Sequence, residues 1–300
     1  MSSLDRDNGP KSSEERIAAI QATPWVGYSR ALAILDDLED VFNFPPTHRM
    51  PNRLVVGKTG NGKTEILERF CELHPPYSRA IGNVVIPVLY VQAPDVPDER
   101  RLYSGIRYSL MNQRALPPHA VELPALPRRL DEAQYFVLDA LQKYKVQVLI
   151  IDEIQHLLAG NGFKQRQFRN TIKYIGNMLR TPIVAAGIFE AYAAIQTDPQ
   201  LVSRFMPLEL PSWRYGREYR DLLSSLEAYV ALNRTSALAA PDLAAKLLAM
   251  SEGTIGDLVD LLQRAAVAAI RSSREQIDAP LLDSLGYIRP SQRGGFTMGQ

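Results

Sequence analysis

This chain of 300 residues has few features that would restrict it to one compartment or to one kind of partner. Cys71 is the single cysteine, so no disulfide can form within the chain, and a packed thiol in a reducing environment is its expected role. No run of about 18 apolar residues is present, and residues 1–15 lack the apolar segment of a signal peptide. We therefore expect a cytoplasmic protein with no membrane partner.

A large excess of charge of one sign is also missing. Lys and Arg together number 34 and Asp and Glu 33, which gives a net charge of +1. A strong basic excess would indicate nucleic-acid binding, and without one only a local basic surface could serve that purpose. The charge balance therefore neither identifies nor excludes a DNA partner.

The strongest local signal is a glycine-rich segment between an apolar run and a helix-favouring run. It fits the phosphate-binding pattern G-x-x-x-x-G-K-[ST] with Gly57, Lys58, Thr59, Gly60, Asn61, Gly62, Lys63 and Thr64. Glycines allow successive backbone N–H groups to turn toward phosphate oxygens, and the following helix directs the positive end of its dipole there. We expect Lys63 to reach the β- and γ-phosphates of a nucleoside triphosphate and the Thr64 hydroxyl to bind Mg2+. The flanking segments disfavour the alternative, a chance glycine-rich turn.

A second diagnostic segment is the apolar run Val146–Ile151, which ends in the two acids Asp152 and Glu153. A continuous apolar run indicates a strand covered on both faces, and open α/β sheets bind their ligands at the carboxyl ends of the strands. Downstream of a P-loop, this is a Walker B pattern, in which Asp152 holds Mg2+ and Glu153 deprotonates the attacking water. The glutamate favours an ATPase, and the sequence has no guanine-specific Asn/Thr-Lys-x-Asp motif.

The other apolar segments complete an α/β pattern that is followed by a helical C-terminal part. The predicted strands are Leu54–Val56, Val84–Val91, Val146–Ile151, Thr181–Gly187 and Phe205–Leu210. Helices are expected between them and again over 215–232, 240–251 and 255–271. The domain prediction is a disordered N-terminus (1–13), a nucleotide-binding α/β domain with the N-terminal helices (14–211), a helical lid (212–275) and a fraying tail (276–300).

Together these motifs resemble an AAA+ ATPase and, within that class, the TniB branch of bacterial transposon ATPases, which is related to TnsC. The resemblance covers roughly residues 15–275 and is carried by Trp25–Tyr28, His48–Gly57, Asn61–Thr64, Asp152–Leu158, Leu201–Phe205 and Gly253–Ala265. For the fold, it implies a parallel five-stranded sheet of order 5-1-4-3-2 that is flanked by helices and followed by a small C-terminal helical lid.

The resemblance also implies a function. Such proteins use ATP to assemble as filaments or rings on double-stranded DNA. The sequence contains no helix-turn-helix, zinc or other base-reading module, so we expect no sequence-specific readout. They recruit a DDE transposase to the target site, sometimes with a TniQ-type adaptor. We therefore expect a bacterial ATPase that regulates transposition, a form of DNA recombination. An AAA+/STAND-type remodelling or signalling ATPase and a helicase-loader-like replication ATPase remain alternatives.

The groups expected near the γ-phosphate are unusual. By the resemblance, Arg204 would be an arginine finger presented to a neighbouring subunit, and a surface ion pair with Asp198 or Glu209 is the alternative. Ile188 stands where relatives carry a small hydroxyl residue after the fourth strand, and Gly256-Asp257 replaces the arginine of many AAA+ lids. Both departures remove polar groups, so we expect slow hydrolysis that suits an assembly switch.

Two further sets of residues are candidates for ligand contacts. The resemblance places a DNA-contacting surface after the second strand, at Arg100, Arg101 and Arg107. Lys164 and Arg166 are further DNA candidates, with a solvated helix face as the alternative. Trp25 and Tyr28 fit an adenine pocket and a hydrophobic staple about equally well.

Overall fold

The computed structural model describes residues 12–22, 25–79, 83–158, 162–230 and 232–293, and the side chains at 157, 158 and 162–165 lie outside that description. The predicted disorder of residues 1–13 therefore falls almost wholly outside the described chain, and Ser12 and Ser13 already form the start of a helix. Contacts divide the chain into two units, Ser29–Pro211 and a helical unit of residues 12–28 with 212–293. No helix within the described ranges combines the length and apolarity needed to cross a membrane.

Most of the described chain is helical. The helices are α1 Ser13–Gln21, α2 Ser29–Phe42, α3 Lys63–Leu73, α4 Glu99–Met111, α5 Leu130–Lys143, α6 Gln155–Leu158, α7 Gly162–Leu179, α8 Phe189–Gln196, α9 Pro199–Val202, α10 Arg217–Val230, α11 Pro241–Ser251, α12 Ile255–Arg271, α13 Ala279–Ser284 and α14 Pro290–Arg293. The strands are β1 Asn52–Gly57, β2 Tyr77–Ser78, β3 Val84–Val85, β4 Val88–Gln92, β5 Val148–Asp152, β6 Ile183–Gly187 and β7 Phe205–Leu210.

A parallel five-stranded sheet of order β4-β5-β6-β1-β7 lies at the centre of Ser29–Pro211. Counted along the chain within this sheet, the strands stand in the order 2-3-4-1-5, which confirms the expected order 5-1-4-3-2 read from the other edge. Strand β5 is buried at every position, as expected for a strand covered on both faces. The register pairs Val56 with Gly187 and Ile151 with Ala185, so β1, β5 and β6 end at one edge of the sheet.

One predicted strand, Val84–Val91, is divided in two. Val84 and Val85 pair antiparallel with Tyr77 and Ser78 in a separate ribbon, and β4 of the main sheet begins only after Pro87. Proline has no N–H to donate to a ladder, so it interrupts the run. The Pro87 carbonyl instead accepts hydrogen bonds from the backbone N–H groups of Val148, the first residue of β5, and of Gln147 before it. The sequence patterns also missed the short helices α6, α8, α13 and α14.

The first helix packs with the C-terminal helices. Its Ile20 is buried in the core of the helical unit, and Arg16 forms an ion pair of 2.6 Å with Glu275. The contacts thus group residues 12–28 with the C-terminal part, whereas the sequence prediction placed 14–28 in the sheet domain. Helix α13 buries Leu281 and Leu282, so the prediction of a fraying tail is wrong for residues 276–293. Residues 294–300 lie outside the described chain.

The single cysteine is part of the packing of helix α3. Burial raises the pKa of the Cys71 thiol to about 12, so the thiolate is not formed near neutral pH. This is the environment of a packed side chain rather than a reactive nucleophile.

Candidate nucleotide-binding site

The P-loop connects the buried strand β1 to helix α3 at the carboxyl edge of the sheet. Gly62 has a φ of 83°, in the left-handed region that favours glycine. At Gly57 an added Cβ would lie only 2.8 Å from the carbonyl oxygen of Leu210, so a side chain there would separate the loop from β7. These positions therefore require glycine for reasons of backbone conformation and close approach.

Lys63 is the buried cation of this loop. It is 6% exposed, and its Nζ donates hydrogen bonds to the carbonyls of Gly57 at 3.0 Å and Lys58 at 2.9 Å. Burial lowers the pKa of the ammonium, while the nearby carboxylates of Asp152, Glu153 and Glu65 oppose that shift. The loop thus holds a desolvated ammonium beside two backbone oxygens, where a phosphate could replace either one.

Asn61 fastens the P-loop to the end of β7. Its Nδ2 donates to the carbonyls of Leu210 at 2.7 Å and Pro211 at 3.0 Å, and the side chain is 2% exposed. The pattern predicted Asn61 as part of the phosphate-binding loop. Its side chain instead holds the loop against β7, and its backbone N–H donates to the carbonyl of Lys58 at 3.3 Å within the loop.

Asp152 lies at the end of β5, 1% exposed, and receives three hydrogen bonds. Its Oδ2 accepts from the Thr64 hydroxyl at 2.7 Å and from the Tyr90 hydroxyl at 2.8 Å, and its Oδ1 accepts from the backbone N–H of Glu153 at 2.7 Å. The P-loop and Walker B residues predicted to act together are therefore in direct contact. Donors on both oxygens orient the carboxylate.

Sequence reasoning missed Tyr90, which lies on β4 opposite Ile150 of β5. Burial and the negative charge of Asp152 raise the pKa of the Tyr90 phenol far above its ordinary value, so it remains a hydrogen-bond donor. A tyrosine inside an apolar run carries no clear signal, because aromatic residues are common in strands. Only the pairing of β4 with β5 reveals its target.

The residues around Asp152 fit a magnesium ion delivered with a nucleotide. A buried carboxylate beside a hydroxyl offers the hard oxygen ligands that Mg2+ prefers. The described residues contain no group of three or more His, Cys, Asp or Glu side chains that could hold a metal by themselves. Mg2+ usually completes its coordination with waters and substrate phosphates, so this limited set of protein ligands is appropriate.

Glu153 adopts a left-handed backbone conformation, with a φ of 57°. Such a conformation is uncommon for a residue with a side chain and persists only where the surroundings impose it. The Oε2 atom of Glu153 accepts a hydrogen bond from Nε2 of Gln155 and lies 3.7 Å from Nε2 of His156. The turn between β5 and α6 thus directs this carboxylate into a defined set of polar contacts.

Arg204 occupies the predicted junction between α9 and β7. Its Nη1 donates to Oδ1 of Asn177 at 2.8 Å, and its carbonyl accepts from the backbone N–H of Asn52 at 3.1 Å. Neither acid of the alternative interpretation contacts it: Asp198 caps α9 and forms an ion pair of 3.0 Å with Lys173. The described contacts hold Arg204 by a neutral amide, which leaves its charge uncompensated by an acid.

The candidate DNA-contacting arginines differ in their contacts. The guanidinium groups of Arg100 and Arg107 donate to backbone carbonyls in the proline-rich segment 123–128, with distances down to 2.6 Å. Arg101 is exposed and forms an ion pair of 2.8 Å with Asp95. Arg166 lies exposed on α7, and the side chain of Lys164 is outside the described residues. Of the three arginines predicted after the second strand, Arg100 and Arg107 thus hold a loop, whereas Arg101 faces solvent.

The remaining candidates belong to the helical unit. Tyr28 forms an edge-on contact with Trp213 at 5.0 Å between ring centroids, and both rings pack on the core of that unit; Trp25 is half-buried. The adenine-pocket prediction for Trp25 and Tyr28 stays a prediction. Asp257, from the segment expected to take the place of a lid arginine, forms an ion pair of 2.7 Å with Arg293.

The strand order, the loop at the end of β1 and the acids at the end of β5 define a P-loop protein of the AAA+ fold. Solved structures with this fold include the Orc1 protein of Aeropyrum pernix in complex with DNA (TM-score 0.60, 19% identity, covering 90% of this chain and 68% of that one). Cdc6p of Pyrobaculum aerophilum has a TM-score of 0.55 and 18% identity, and the match covers 91% of this chain and 66% of that one. AMPPCP-bound DnaA of Aquifex aeolicus has a TM-score of 0.50 and 14% identity, with 85% of this chain and 68% of that one covered. At these identities the likeness concerns the fold alone.

The family is defined by sequence. The family model described as "Bacterial TniB protein" matches residues 16–215, two thirds of the chain. The chain therefore belongs to the TniB family, as the resemblance in the motifs had indicated. The comparison with curated proteins finds no match.

Proposed function

We propose that this chain is an ATP-dependent, DNA-binding regulator of transposition that assembles on double-stranded DNA and recruits a transposase to a target site. The observation that carries the proposal is the 2.7 Å hydrogen bond between Thr64 and Asp152, which joins the P-loop to the Walker B strand in a member of the TniB family. The site has the residues that an ATPase uses, and membership of the TniB family supports transposition as the process in which it acts.

The P-loop residues bind the triphosphate. The Lys63 ammonium exchanges the carbonyls of Gly57 and Lys58 for β- and γ-phosphate oxygens, while backbone N–H groups at the start of α3 donate to the same anion. Thr64 and Asp152 would hold Mg2+, which would supply positive charge against the charge that develops on the phosphates. Asn61 keeps the loop against β7 during this exchange.

Glu153 performs the proton transfer. Its carboxylate orients a water toward the γ-phosphorus and accepts the proton as the water attacks, a contribution of about 10²- to 10⁴-fold in rate. Arg204 acts on the nucleotide of a neighbouring subunit, because a cation held by a neutral amide remains able to bind phosphate. ATP would then be bound between protomers, and hydrolysis would loosen the assembly.

A modest set of phosphate contacts suffices for DNA binding in such an assembly. A net charge of +1 makes a single protomer a weak binder, but stacking protomers through ATP multiplies their contacts along one duplex. Arg101 and Arg166 are the described residues best placed for this role, with Lys164 as a further candidate. A DDE transposase and a TniQ-type adaptor are the proposed protein partners.

Electron microscopy of the protein with duplex DNA, with and without a non-hydrolysable ATP analogue, tests the proposal. We expect regular assemblies on DNA only with the analogue, and none with Lys63→Ala, which removes the buried cation. Lys143→Ala, an exposed lysine at the end of α5, is the matched control and should assemble normally. Monomeric, ATP-independent binding in sedimentation experiments would contradict the proposal.

The shared fold of Orc1, Cdc6p and DnaA keeps a second candidate open, a helicase-loader-like replication ATPase. It predicts the same dependence on ATP and DNA but a different protein partner. Affinity capture on immobilised protein with purified components distinguishes the two, since the first proposal requires retention of a transposase and the second requires retention of a replicative helicase.

A further inference from the structure

The end of β6 lacks the polar side chain expected beside a γ-phosphate. Ala186, Gly187 and Ile188 supply none, and Ile188 serves only as the N-terminal flank of α8 without a side-chain cap. Yet this strand end pairs with β1 immediately before the P-loop, through Gly187 and Val56. A polar group that acted there would have to come from another element.

Gln155, the first residue of α6, brings a carboxamide to this place. Its Oε1 accepts a hydrogen bond from the backbone N–H of Ile188 at 3.4 Å, and its Nε2 donates to Oε2 of Glu153. Only this orientation of the amide presents an acceptor to the N–H group and a donor to the carboxylate. One side chain therefore connects the end of β6 to the acid that we assign as the base.

The absence of a side chain at Gly187 allows this contact. A Cβ built at Gly187 would lie 2.7 Å from Oε1 of Gln155 and 2.9 Å from Cβ of Ala191. Its φ is not in the left-handed region, so the need for glycine at this position is steric. The strand end is thus shaped to receive the carboxamide of Gln155.

We propose that Gln155 is the positioning residue for hydrolysis in this protein and takes the place of the missing polar residue on β6. Its Nε2 fixes Oε2 of Glu153, and the described contact with His156 is made to the same oxygen. Oε1 of Glu153 is then the atom that takes the proton of the attacking water. The proposal rests on the assignment of this chain as an ATPase and gives a role to Gln155, to which the motifs assign none.

A positioning role predicts a specific pattern in the kinetics. Gln155 does not contact the P-loop cation or Asp152 in the described hydrogen bonds, so its loss should leave nucleotide binding intact. Misplacing a general base by about 1 Å costs up to about 10²-fold in rate. We therefore expect Gln155→Ala to lower kcat by about 10- to 100-fold and to leave both the KM for ATP and the Kd of a fluorescent non-hydrolysable analogue unchanged.

Three companion variants test whether Gln155 acts on hydrolysis through Glu153. Gln155→Glu keeps the size of the side chain but removes the donor, so kcat should fall as it does in Gln155→Ala. Adding Gln155→Ala to Glu153→Gln should lower kcat no further, since residues that act through one another are not additive. Gln142→Ala, an exposed glutamine on α5, is the control and should match the wild type.

The outcomes separate this inference from the proposed function. If the wild-type protein neither binds the analogue nor hydrolyses ATP in the presence of DNA, the ATPase assignment fails and this inference fails with it. If the wild type hydrolyses ATP and Gln155→Ala stays within about twofold of it, only the inference is overturned. The inference would also be overturned if the effects of Gln155→Ala and Glu153→Gln on kcat were fully additive in the double variant. Should Gln155→Ala not fold, Gln155→Glu carries the same comparison.

Discussion

The Tyr90 hydroxyl donates a hydrogen bond of 2.8 Å to Oδ2 of Asp152, the oxygen that also accepts from Thr64. This contact crosses from β4 to β5, so the outer strand of the sheet supports the carboxylate assigned to Mg2+. A ligand oriented by such partners has a fixed geometry before the metal arrives. The sequence of β4 alone does not indicate this role of Tyr90.

Tyr90→Phe should therefore weaken the use of Mg2+ more than the fold. Loss of one donor on a metal-binding carboxylate typically costs about 10- to 100-fold in metal affinity, whereas the lost hydrogen bond changes the free energy of unfolding by about 1 kcal/mol. The measurement is binding of an ATP analogue as a function of Mg2+ concentration. Tyr108→Phe, on an exposed tyrosine of α4, is the control, and equal Mg2+ dependence in the two variants would contradict the prediction.

Arg204 and Glu153 should complement each other between subunits. Arg204→Ala removes the arginine that a protomer offers its neighbour, and loss of an arginine finger costs about 10³- to 10⁵-fold in kcat; Glu153→Gln removes the base. Each variant alone should be inactive while still binding ATP. In an equimolar mixture, a Glu153→Gln protomer can supply its arginine to the intact site of an Arg204→Ala protomer, so hydrolysis should reappear.

The rate of ATP hydrolysis by the mixture, compared with each variant alone, is the measurement for Arg204. Asn177→Ala serves as a milder companion, since it releases the guanidinium without removing it and should retain most of the activity. Wild-type hydrolysis by Arg204→Ala alone would show that this arginine is only part of the protein surface.

The candidate DNA-contacting arginines of α4 and α7 should separate into two functional groups. Arg101→Ala and Arg166→Ala should each lower the salt dependence of DNA binding, because every lost phosphate contact reduces the slope of log K against log salt by about 1. Arg107→Ala should leave that slope unchanged and lower thermal stability, since its guanidinium holds the carbonyls of Leu123 and Pro124. DNA-binding titrations at several salt concentrations measure the slopes, and melting curves for each variant measure the stabilities. A reduced slope for Arg107→Ala would contradict the assignment of Arg107 to the loop contact.

The sequence motifs were sufficient where the chemistry depends on consecutive residues. The P-loop and the acids after β5 follow from local patterns, and the strand order follows from the resemblance those patterns support. Tyr90 and Gln155 were not predictable in the same way, because each acts across a strand pairing or a turn and neither residue type is unusual in its segment. Arg100 and Arg107 show the opposite case, in which basic residues that fit a DNA surface are used to hold a loop. Hydrogen-bond partners distant in sequence decide these roles.

The grouping of α1 with the C-terminal helices gives a prediction about pH. Glu275 accepts hydrogen bonds from Arg16 at 2.6 and 2.9 Å and from the backbone N–H of Asn233 at 3.1 Å. The contact with Arg16 lowers the pKa of the Glu275 carboxyl below its ordinary value of 4.5. Its contribution to stability is therefore complete above that value and is lost as the pH falls through the lower pKa of the folded state.

Glu275→Gln should accordingly destabilise the protein by about 1 kcal/mol at neutral pH. The difference from the wild type should shrink as the pH falls below about 4.5, the ordinary pKa from which Glu275 is shifted. Chemical denaturation at a series of pH values, followed by circular dichroism, measures the difference. Glu218→Gln, an exposed acid on α10, controls for the loss of one carboxylate. A difference between Glu275→Gln and wild type that stayed constant down to pH 3 would mean that the carboxylate charge at 275 does not hold α1 in place.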